Sequence, residues 1–270
     1  MITGISRRVV LRGFGQSVAL GTLAVSLPRH LAAAQAAQGA KPGAAPAKKT
    51  ICLSMFYPAG EGLKFDGDKF RDQHVPVLKN AYGAGLERVE LRVSEPAPEG
   101  AAAQPLLAAV SMWISDVSKF IAGANSHAKE VSASMATITN SAPMVQYDQV
   151  IATYGAERST VAVGTTCISQ LFQAKEGATW NAQGVADEFM KNIYEAYGST
   201  ALRRIEVCEG AQGGGGGAPL WLGGVHMYVA DGAAFDAAAK TDAVKQLAAD
   251  GAKYWSTPPI PALMKVQAVG

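Results

Sequence analysis

The feature that most constrains the fold of this chain is an internal repeat, in which the second half of the sequence resembles the first. Ala81-Tyr82-Gly83 recurs as Ala196-Tyr197-Gly198, about 115 positions later. The remaining matches keep nearly the same spacing and order: 86–91 with 202–207, 112–116 with 227–231, Phe120 with Phe235, Phe65 with Trp180, and 141–143 with 256–258. Ordered matches of this kind indicate duplication of one structural unit, so both halves are expected to fold alike.

Each half has the hydrophobic pattern of a strand–helix–strand–strand–helix–strand unit. Apolar residues that alternate with polar ones predict strands, and apolar residues three to four apart predict helices. In the first half this predicts strands at 51–57, 88–93, 106–114 and 146–153, and helices at 66–82 and 116–135. The second half repeats the order from 167 to 269. The stretches 96–105 and 213–217, rich in proline or glycine, are predicted to connect the second and third strands.

This element order is that of the ferredoxin-like fold, whose four-stranded antiparallel sheet carries helices on one face only. The bare face of such a sheet has to be buried against something. Two copies in one chain can stack their bare faces and enclose a barrel. We therefore predict an α+β protein in which βαββαβ repeats at 50–155 and 160–270 form a pseudo-dimer around a central cavity.

The first 49 residues predict an export address. Arg7 and Arg8 precede a mildly apolar stretch at 13–27 that is short for a membrane span, which needs about 20 apolar residues. The segment 1–36 resembles a twin-arginine signal peptide, and 37–49 is expected to be a flexible linker. The resemblance implies a periplasmic or secreted protein without a stable membrane anchor after cleavage. The alternatives are an uncleaved anchor and a chance arginine pair.

Charge and cysteine content narrow the range of partners. The formal net charge is +2, without a basic cluster after the linker, so nucleic acid is not an expected partner. No histidine or cysteine group has the spacing of zinc ligands, and no metal site is predicted. Cys52, Cys167 and Cys208 allow one disulfide, or serve as three buried apolar residues.

Several segments of the first half carry a family resemblance. Phe65-Asp66 is followed by HVPVL at 74–78, LERVE at 86–90 and MWISD at 112–116. Together they resemble the EthD family, named for a protein of ethyl tert-butyl ether degradation. The resemblance implies an intrachain dimeric α+β barrel, a superfamily that includes monooxygenases, isomerases, dehydratases, cyclases and haem enzymes. The second half departs from the pattern, with Phe189 at the position of His74 and Lys191 at that of Pro76.

His74 is the first candidate for chemistry. It shares one face of the predicted helix with Phe70 and Leu78, so it is expected to point away from solvent. Pro76 leaves a backbone carbonyl without its donor and is expected to kink the helix toward the cavity. A half-buried imidazole can act as a general acid or base near neutral pH. The alternative is a core histidine bonded to a backbone carbonyl.

His226 is the second candidate. Within 225–229, His226 and Tyr228 alternate with apolar residues and are expected to face the barrel interior, beside their counterparts Ser111 and Trp113. A few polar groups among apolar walls are typical of a small-molecule site. The alternative is that these side chains only fill the barrel.

Charged residues of the second strand of each half share the interior face. They are Arg88 and Glu90 in the first half and Arg204 and Glu206 in the second. Buried charges need partners, so cross-strand ion pairs around the pseudo-twofold axis are expected.

The sequence thus predicts an exported EthD-like protein that binds a small, largely apolar molecule in a catabolic pathway. His74 and His226 are the candidate acid–base catalysts, for isomerisation, dehydration or oxygenation without a cofactor. The candidate substrate-binding residues are Tyr228, Trp113, Ser111, Arg88, Glu90, Arg204 and Glu206. A non-catalytic binder or carrier is the alternative, and a haem-binding barrel is a lesser one. The pseudo-dimer is open to further homo-oligomerisation.

Overall fold

The structure is a computed structural model that describes residues 50–96 and 103–270. The predicted signal at 1–36, the linker at 37–49 and part of the loop after the second strand lie outside the described residues. The described chain contains strands β1 (Thr50–Pro58), β2 (Leu86–Ser94), β3 (Leu106–Ile114), β4 (Met144–Gly155), β5 (Thr166–Gln173), β6 (Leu202–Gly213), β7 (Trp221–Val229) and β8 (Ile260–Val269).

Helices connect the strands at the same two places in each half. They are α1 (Val75–Tyr82) and α2 (Val117–Ala136) in the first half, and α3 (Met190–Ala201), α4 (Gly232–Ala239) and α5 (Asp242–Asp250) in the second. Aspartates cap the equivalent helices α2 and α4, because Asp116 accepts from the backbone N–H of Lys119 and Asp231 from that of Ala234. Within the described residues, no helix has the length and apolar character to cross a membrane.

All eight strands pair antiparallel in one closed barrel, in the order β1-β3-β2-β8-β5-β7-β6-β4. Each half contributes four consecutive strands in equivalent order. Two seams, β2 with β8 and β4 with β6, join the halves. Closure pairs both edges of each four-stranded unit with the other unit, so none of the described strands has an unpaired edge. The predicted α+β class is confirmed.

Alternation along each strand separates two core regions. On β1, Ile51 and Leu53 belong to the core cluster formed with α1 and α2 outside the barrel. Cys52 and Phe56 alternate with them and belong to clusters inside the barrel. Around Phe189, the second half has its own cluster on the helix side. The inward positions of the strands therefore form the barrel interior. The candidate residues of β2, β3, β6 and β7 are predicted to lie there.

A π-helical turn takes the place of the predicted proline kink. The helix predicted at 66–82 contains the π turn Phe70–His74, followed directly by α1. The second half has a π turn at the same place, Val185–Phe189, although Lys191 stands there in place of Pro76. Proline is therefore not the cause of the turn. Pro76 lies in the first turn of α1, directly after the π turn.

The two halves differ at their second helix. The second half has α4 and α5 where the first half has the single helix α2. Thr241 lies between α4 and α5, and its hydroxyl oxygen accepts from the backbone N–H of Val244. A threonine followed by Asp242 is a helix-start signal, and here it begins a new helix within the expected one. The expectation that the second half repeats every element is corrected at this point.

Candidate functional site

Inward side chains of β1, β3, β5 and β7 form three layers along the barrel axis, which we call the aromatic, polar and apolar layers. The aromatic layer lies at one end, where Cys52 pairs with Trp113 and Cys167 with Tyr228. The polar layer follows, where Ser54 pairs with Ser111 and Ser169 with His226. The apolar layer comes last, where Phe56 pairs with Ala109 and Leu171 with Gly224. His226, Tyr228, Ser111 and Trp113 therefore lie inside the barrel, and all four are buried.

Strands β2 and β6 bring charge to these layers. On β2, Arg88, Glu90 and Arg92 stand opposite Trp113, Ser111 and Ala109, and on β6, Arg204, Glu206 and Cys208 stand opposite Tyr228, His226 and Gly224. The carboxyl groups of Glu90 and Glu206 are almost completely buried. Desolvation raises the pKa of Glu90, an effect that the nearby guanidinium of Arg92 opposes.

Each buried glutamate accepts a hydrogen bond from an aromatic side chain of the other repeat. The hydroxyl of Tyr228 donates to Oε1 of Glu90 over 2.8 Å. The indole N–H of Trp113 donates to Oε1 of Glu206 over 2.8 Å. These two reciprocal contacts follow the pseudo-twofold relation of the repeats and tie them together through the centre of the barrel.

The predicted cross-strand Arg–Glu pairs are corrected to pairs within one strand. Arg88 lies 3.4 Å from Glu90, and Arg204 lies 3.0 Å from Glu206. The reason is that residues two apart on a strand share a face and their long side chains meet there. Glu206 has a further partner, Arg158, whose Nη2 is 2.9 Å from Oε2.

The connection between the repeats closes the aromatic end of the barrel. Arg88 donates to the carbonyl of Val161 over 2.6 Å, and Arg204 donates to the carbonyl of Ala156 over 2.7 Å. Val161 is itself buried in a cluster with Tyr228. Backbone carbonyls of this connection thus accept hydrogen bonds from one guanidinium group of each repeat.

Arg92 and His226 form the centre of the polar layer. The side chain of Arg92 is 1% exposed. Its Nη1 lies 2.8 Å from Nδ1 of His226, and its Nη2 donates to the hydroxyl of Ser111 over 2.6 Å. The hydroxyl of Ser169 lies 2.9 Å from the same histidine nitrogen. Each repeat supplies two of these four residues.

The contact with Arg92 fixes the tautomer of His226. A guanidinium only donates, so Nδ1 accepts and the neutral ring carries its proton on Nε2. Burial, together with the charge of Arg92, holds the pKa of His226 well below its ordinary value. The ring is therefore neutral at physiological pH and serves as an N–H donor. Nε2 is oriented toward Gly224 of the apolar layer, where an added Cβ would lie 3.5 Å from it.

Asp148 is a third buried carboxyl group on the interior face. It stands opposite Cys52 on β4 and accepts from the side-chain amide of Gln146. Desolvation raises the pKa of Asp148 to about 7, against hydrogen bonds from Ser54 and Gln146 that lower it. A carboxyl group that titrates near neutrality inside a closed site can donate or accept a proton.

All three cysteines are free and buried, so the predicted alternative of one disulfide is not realised. Cys52 and Cys208 lie on the two strands that flank β4. Neighbouring strands are about 4.8 Å apart, so two strands with one between them hold their Cα atoms beyond the ~7 Å reach of a disulfide. Burial raises the pKa of all three thiols, which keeps them protonated.

His74 lies in the helix layer, outside the barrel. It is buried, and its Nδ1 is 2.9 Å from the hydroxyl of Ser134 on α2, a side chain in place of the expected backbone carbonyl. Its ring is 5.1 Å from that of Phe70. Burial lowers the pKa of His74 to about 4. The sheet separates His74 from His226, so the structure does not bring the two candidate catalysts together.

Large side chains occupy much of the barrel interior. Trp113, Arg92 and Tyr228 are among the largest fully buried side chains of the described chain. Two surface grooves lie outside the barrel, one of about 800 Å³ beside Phe65 and one of about 270 Å³ beside Trp180. Among the described residues, no group of three metal-ligating side chains is present.

No protein-family model matches the sequence, and no curated protein does. Solved structures do match. An anthrone oxidase-like protein aligns with 83% of this chain and 94% of its own, at a TM-score of 0.58 and 10% identity. A proposed monooxygenase from Fusobacterium nucleatum aligns with 82% of this chain and 93% of its own, at 0.53 and 10%. This chain shares their α+β barrel fold. An EthD-like protein from Ralstonia eutropha covers 37% of this chain and 89% of its own, at 23% identity and a TM-score of 0.34. The similarity to the first two structures establishes the fold, and at 10% identity it assigns no activity.

Several residues at the site were not predicted from the sequence, including Ser169 beside His226. Arg92 continues the two-residue period of Arg88 and Glu90, so the alternation of β2 could have identified it. Asp148 lies on the inward face of β4 by the same period. Arg158 lies in the connection between the repeats, where no periodic pattern marks an inward side chain.

Proposed function

We propose that this chain is an exported EthD-like protein, a tandem duplication that forms an intrachain dimeric α+β barrel and binds a small, largely apolar molecule inside it. Export to the periplasm or beyond the cell rests on the resemblance of 1–36 to a twin-arginine signal. The observation that carries the binding proposal is the contact of Arg92 with His226. It is a buried polar pair, one residue from each repeat, next to an apolar layer.

The repeats themselves support a functional role for His226. Ser111 occupies the equivalent position in the first repeat, as the registers opposite Glu90 and Glu206 show. The same unit therefore folds with a serine at this position, and the fold does not require an imidazole. A buried imidazole that only one repeat carries, beside apolar residues, is typical of a small-molecule site.

In the proposed chemistry, His226 donates its Nε2 proton in a hydrogen bond to an oxygen of the ligand. Arg92 holds the imidazole in this tautomer through Nδ1. Asp148 is the proposed acid–base group, because its pKa of about 7 allows it to exchange a proton near neutrality. These groups suit a reaction that needs proton transfer alone, such as isomerisation or dehydration.

The first test is native mass spectrometry, with an absorption spectrum, of the mature protein isolated from the cells that make it. We expect one small organic molecule to co-purify with the protein. We expect no haem band in the absorption spectrum. A strong haem spectrum would replace this proposal with the haem-binding alternative. The identity of the bound molecule then provides the substrate for turnover assays, which separate an enzyme from a carrier.

The matched variant is His226→Ser, which places in the second repeat the residue found in the first. Loss of one buried hydrogen bond of about 1–3 kcal/mol should weaken retention of the bound molecule about tenfold or more. His127→Ser is the control, because His127 lies on α2 and pairs with Glu130 at the surface. Equal occupancy in His226→Ser and the wild type would contradict the assignment of His226.

A further inference from the structure

Arg92 is a buried cation with too little negative charge around it. Its nearest carboxylate, Glu90, lies 3.6 Å from Nε, and Glu90 also pairs with Arg88 at 3.4 Å. The other groups that Arg92 contacts are neutral: His226, Ser111, Ser169 and Cys167. Glu90 thus serves two guanidinium groups in this half of the barrel. Asp148 is a further buried carboxyl group that interacts electrostatically with Arg92, but it is partly protonated near neutral pH because burial raises its pKa to about 7.

The equivalent region of the other half is balanced. Glu206 pairs there with Arg204 and Arg158, and Arg158 also pairs with Glu87 at 2.7 Å. Two carboxylates serve two guanidinium groups. Burying a charge that is not fully compensated is costly, so a protein retains such a charge where it has a use.

The fold does not require a cation at position 92. Cys208 occupies the equivalent position of the second repeat, two residues after Glu206 and opposite Gly224, as Arg92 is two residues after Glu90 and opposite Ala109. Both repeats form the same sheet with these different residues. Only the first repeat has an arginine at this position, and the packing of the sheet does not explain why.

Six buried side-chain N–H groups of the described residues lack a hydrogen-bond acceptor, and two of them lie at or beside the apolar layer. These two are Nε of Arg92 and Nε1 of Trp221. Trp221 belongs to the apolar cluster that contains Phe56 and Leu171 of the apolar layer and also Ala109, which stands opposite Arg92. An unpaired buried donor costs about 1–3 kcal/mol. A ligand with acceptor oxygens would satisfy what the chain leaves unpaired.

We infer that the molecule bound in this barrel is a small hydrophobic carboxylic acid, with its carboxylate at Arg92 and its hydrocarbon body in place of side chains of the apolar layer. This inference rests on the proposed function and specifies the ligand class of the same site. The carboxylate supplies the missing negative charge and the missing acceptor oxygens together. The hydrocarbon body occupies the region of Phe56, Leu171 and Met264.

The test compares acids with their neutral amides on the purified mature protein. The probes are benzoate with benzamide, phenylacetate with phenylacetamide, and hexanoate with hexanamide, measured by isothermal titration calorimetry. We expect at least one acid to bind tenfold or more tightly than its amide. Arg92→Met should abolish this preference, Arg92→Lys should keep part of it, and Arg71→Gln, at an exposed pair on the far side of the sheet, should keep all of it.

The outcomes separate this inference from the proposed function. Amides that bind as tightly as their acids would overturn the carboxylate assignment and leave a binding barrel. A preference for acids that survives in folded Arg92→Met would overturn the role of Arg92. No saturable binding by any of the six probes would count against the barrel as a binding site, and so against both proposals. Circular dichroism shows whether each variant is folded. If Arg92→Met does not fold, the reduced preference for acids expected of Arg92→Lys tests the role of Arg92 instead.

Discussion

Two buried histidines make this fold sensitive to acid. Burial lowers the pKa of His74 to about 4, and the pKa of His226 is lowered in the same direction. A histidine in the unfolded chain titrates near 6.5. Between these values the unfolded chain takes up a proton that the folded chain does not, so stability decreases as the pH falls from about 6.5 toward 4.

His74→Phe should reduce this acid sensitivity. Phenylalanine is the residue of the second repeat at this position, Phe189, and it cannot be protonated. Between pH 6.5 and pH 4, the variant should lose less unfolding free energy than the wild type, by up to about 3 kcal/mol. The raised pKa of Asp148 acts in the opposite sense but is common to both proteins. Urea unfolding across this pH range measures the difference. If the unfolding free energy depends on pH equally in both proteins, folding does not lower the pKa of His74.

At the scale of elements, the connection between the repeats does more than join them. It places Arg158 over the ring of Trp113, at 4.6 Å, and against Glu206. Arg158→Gln should cost about 2–3 kcal/mol of unfolding free energy, because Glu206 loses a partner in a nearly closed site. Arg71→Gln removes an exposed pair instead and should cost less than about 1 kcal/mol. Denaturant midpoints of the two variants give the comparison. Similar small losses would show that the connection is only a tether.

The sequence predicted elements better than contacts, for physical reasons. Alternation and helical spacing are local properties, so the strands and the helices α1 and α2 were found within a few residues. The π turns and the start of α5 depend on which backbone groups pair within a helix. The spacing of apolar residues in the sequence does not show this pairing. Arg158 reaches the barrel from a segment without a pattern. The alternation predicts that His226 and Glu90 lie on the inward face, but only the assembled barrel shows the contact of Arg92 with His226.

At the scale of the whole molecule, neither repeat is complete without the other. The strands β2 and β4 are the outer strands of the first unit, and both pair with the second unit. Glu90 and Glu206 likewise take their aromatic donors from the opposite repeat. A single repeat would expose two strand edges and one whole sheet face, which is unfavourable in water.

A fragment of residues 50–155 should therefore form a homodimer when produced alone. In such a dimer, β2 of one copy pairs with β4 of the other, and Glu90 of each copy accepts from Trp113 of its partner. The fragment keeps all the strands and helices of its unit, so it needs only a second copy to close the barrel. Light scattering coupled to size-exclusion chromatography measures its mass, and circular dichroism confirms that it is folded. Glu90→Leu removes the buried acceptor at the centre of that dimer. It should therefore raise the dissociation constant of the dimer while the fragment stays folded. A folded, monomeric fragment would contradict the view that the seams and the reciprocal contacts hold one cooperative unit together.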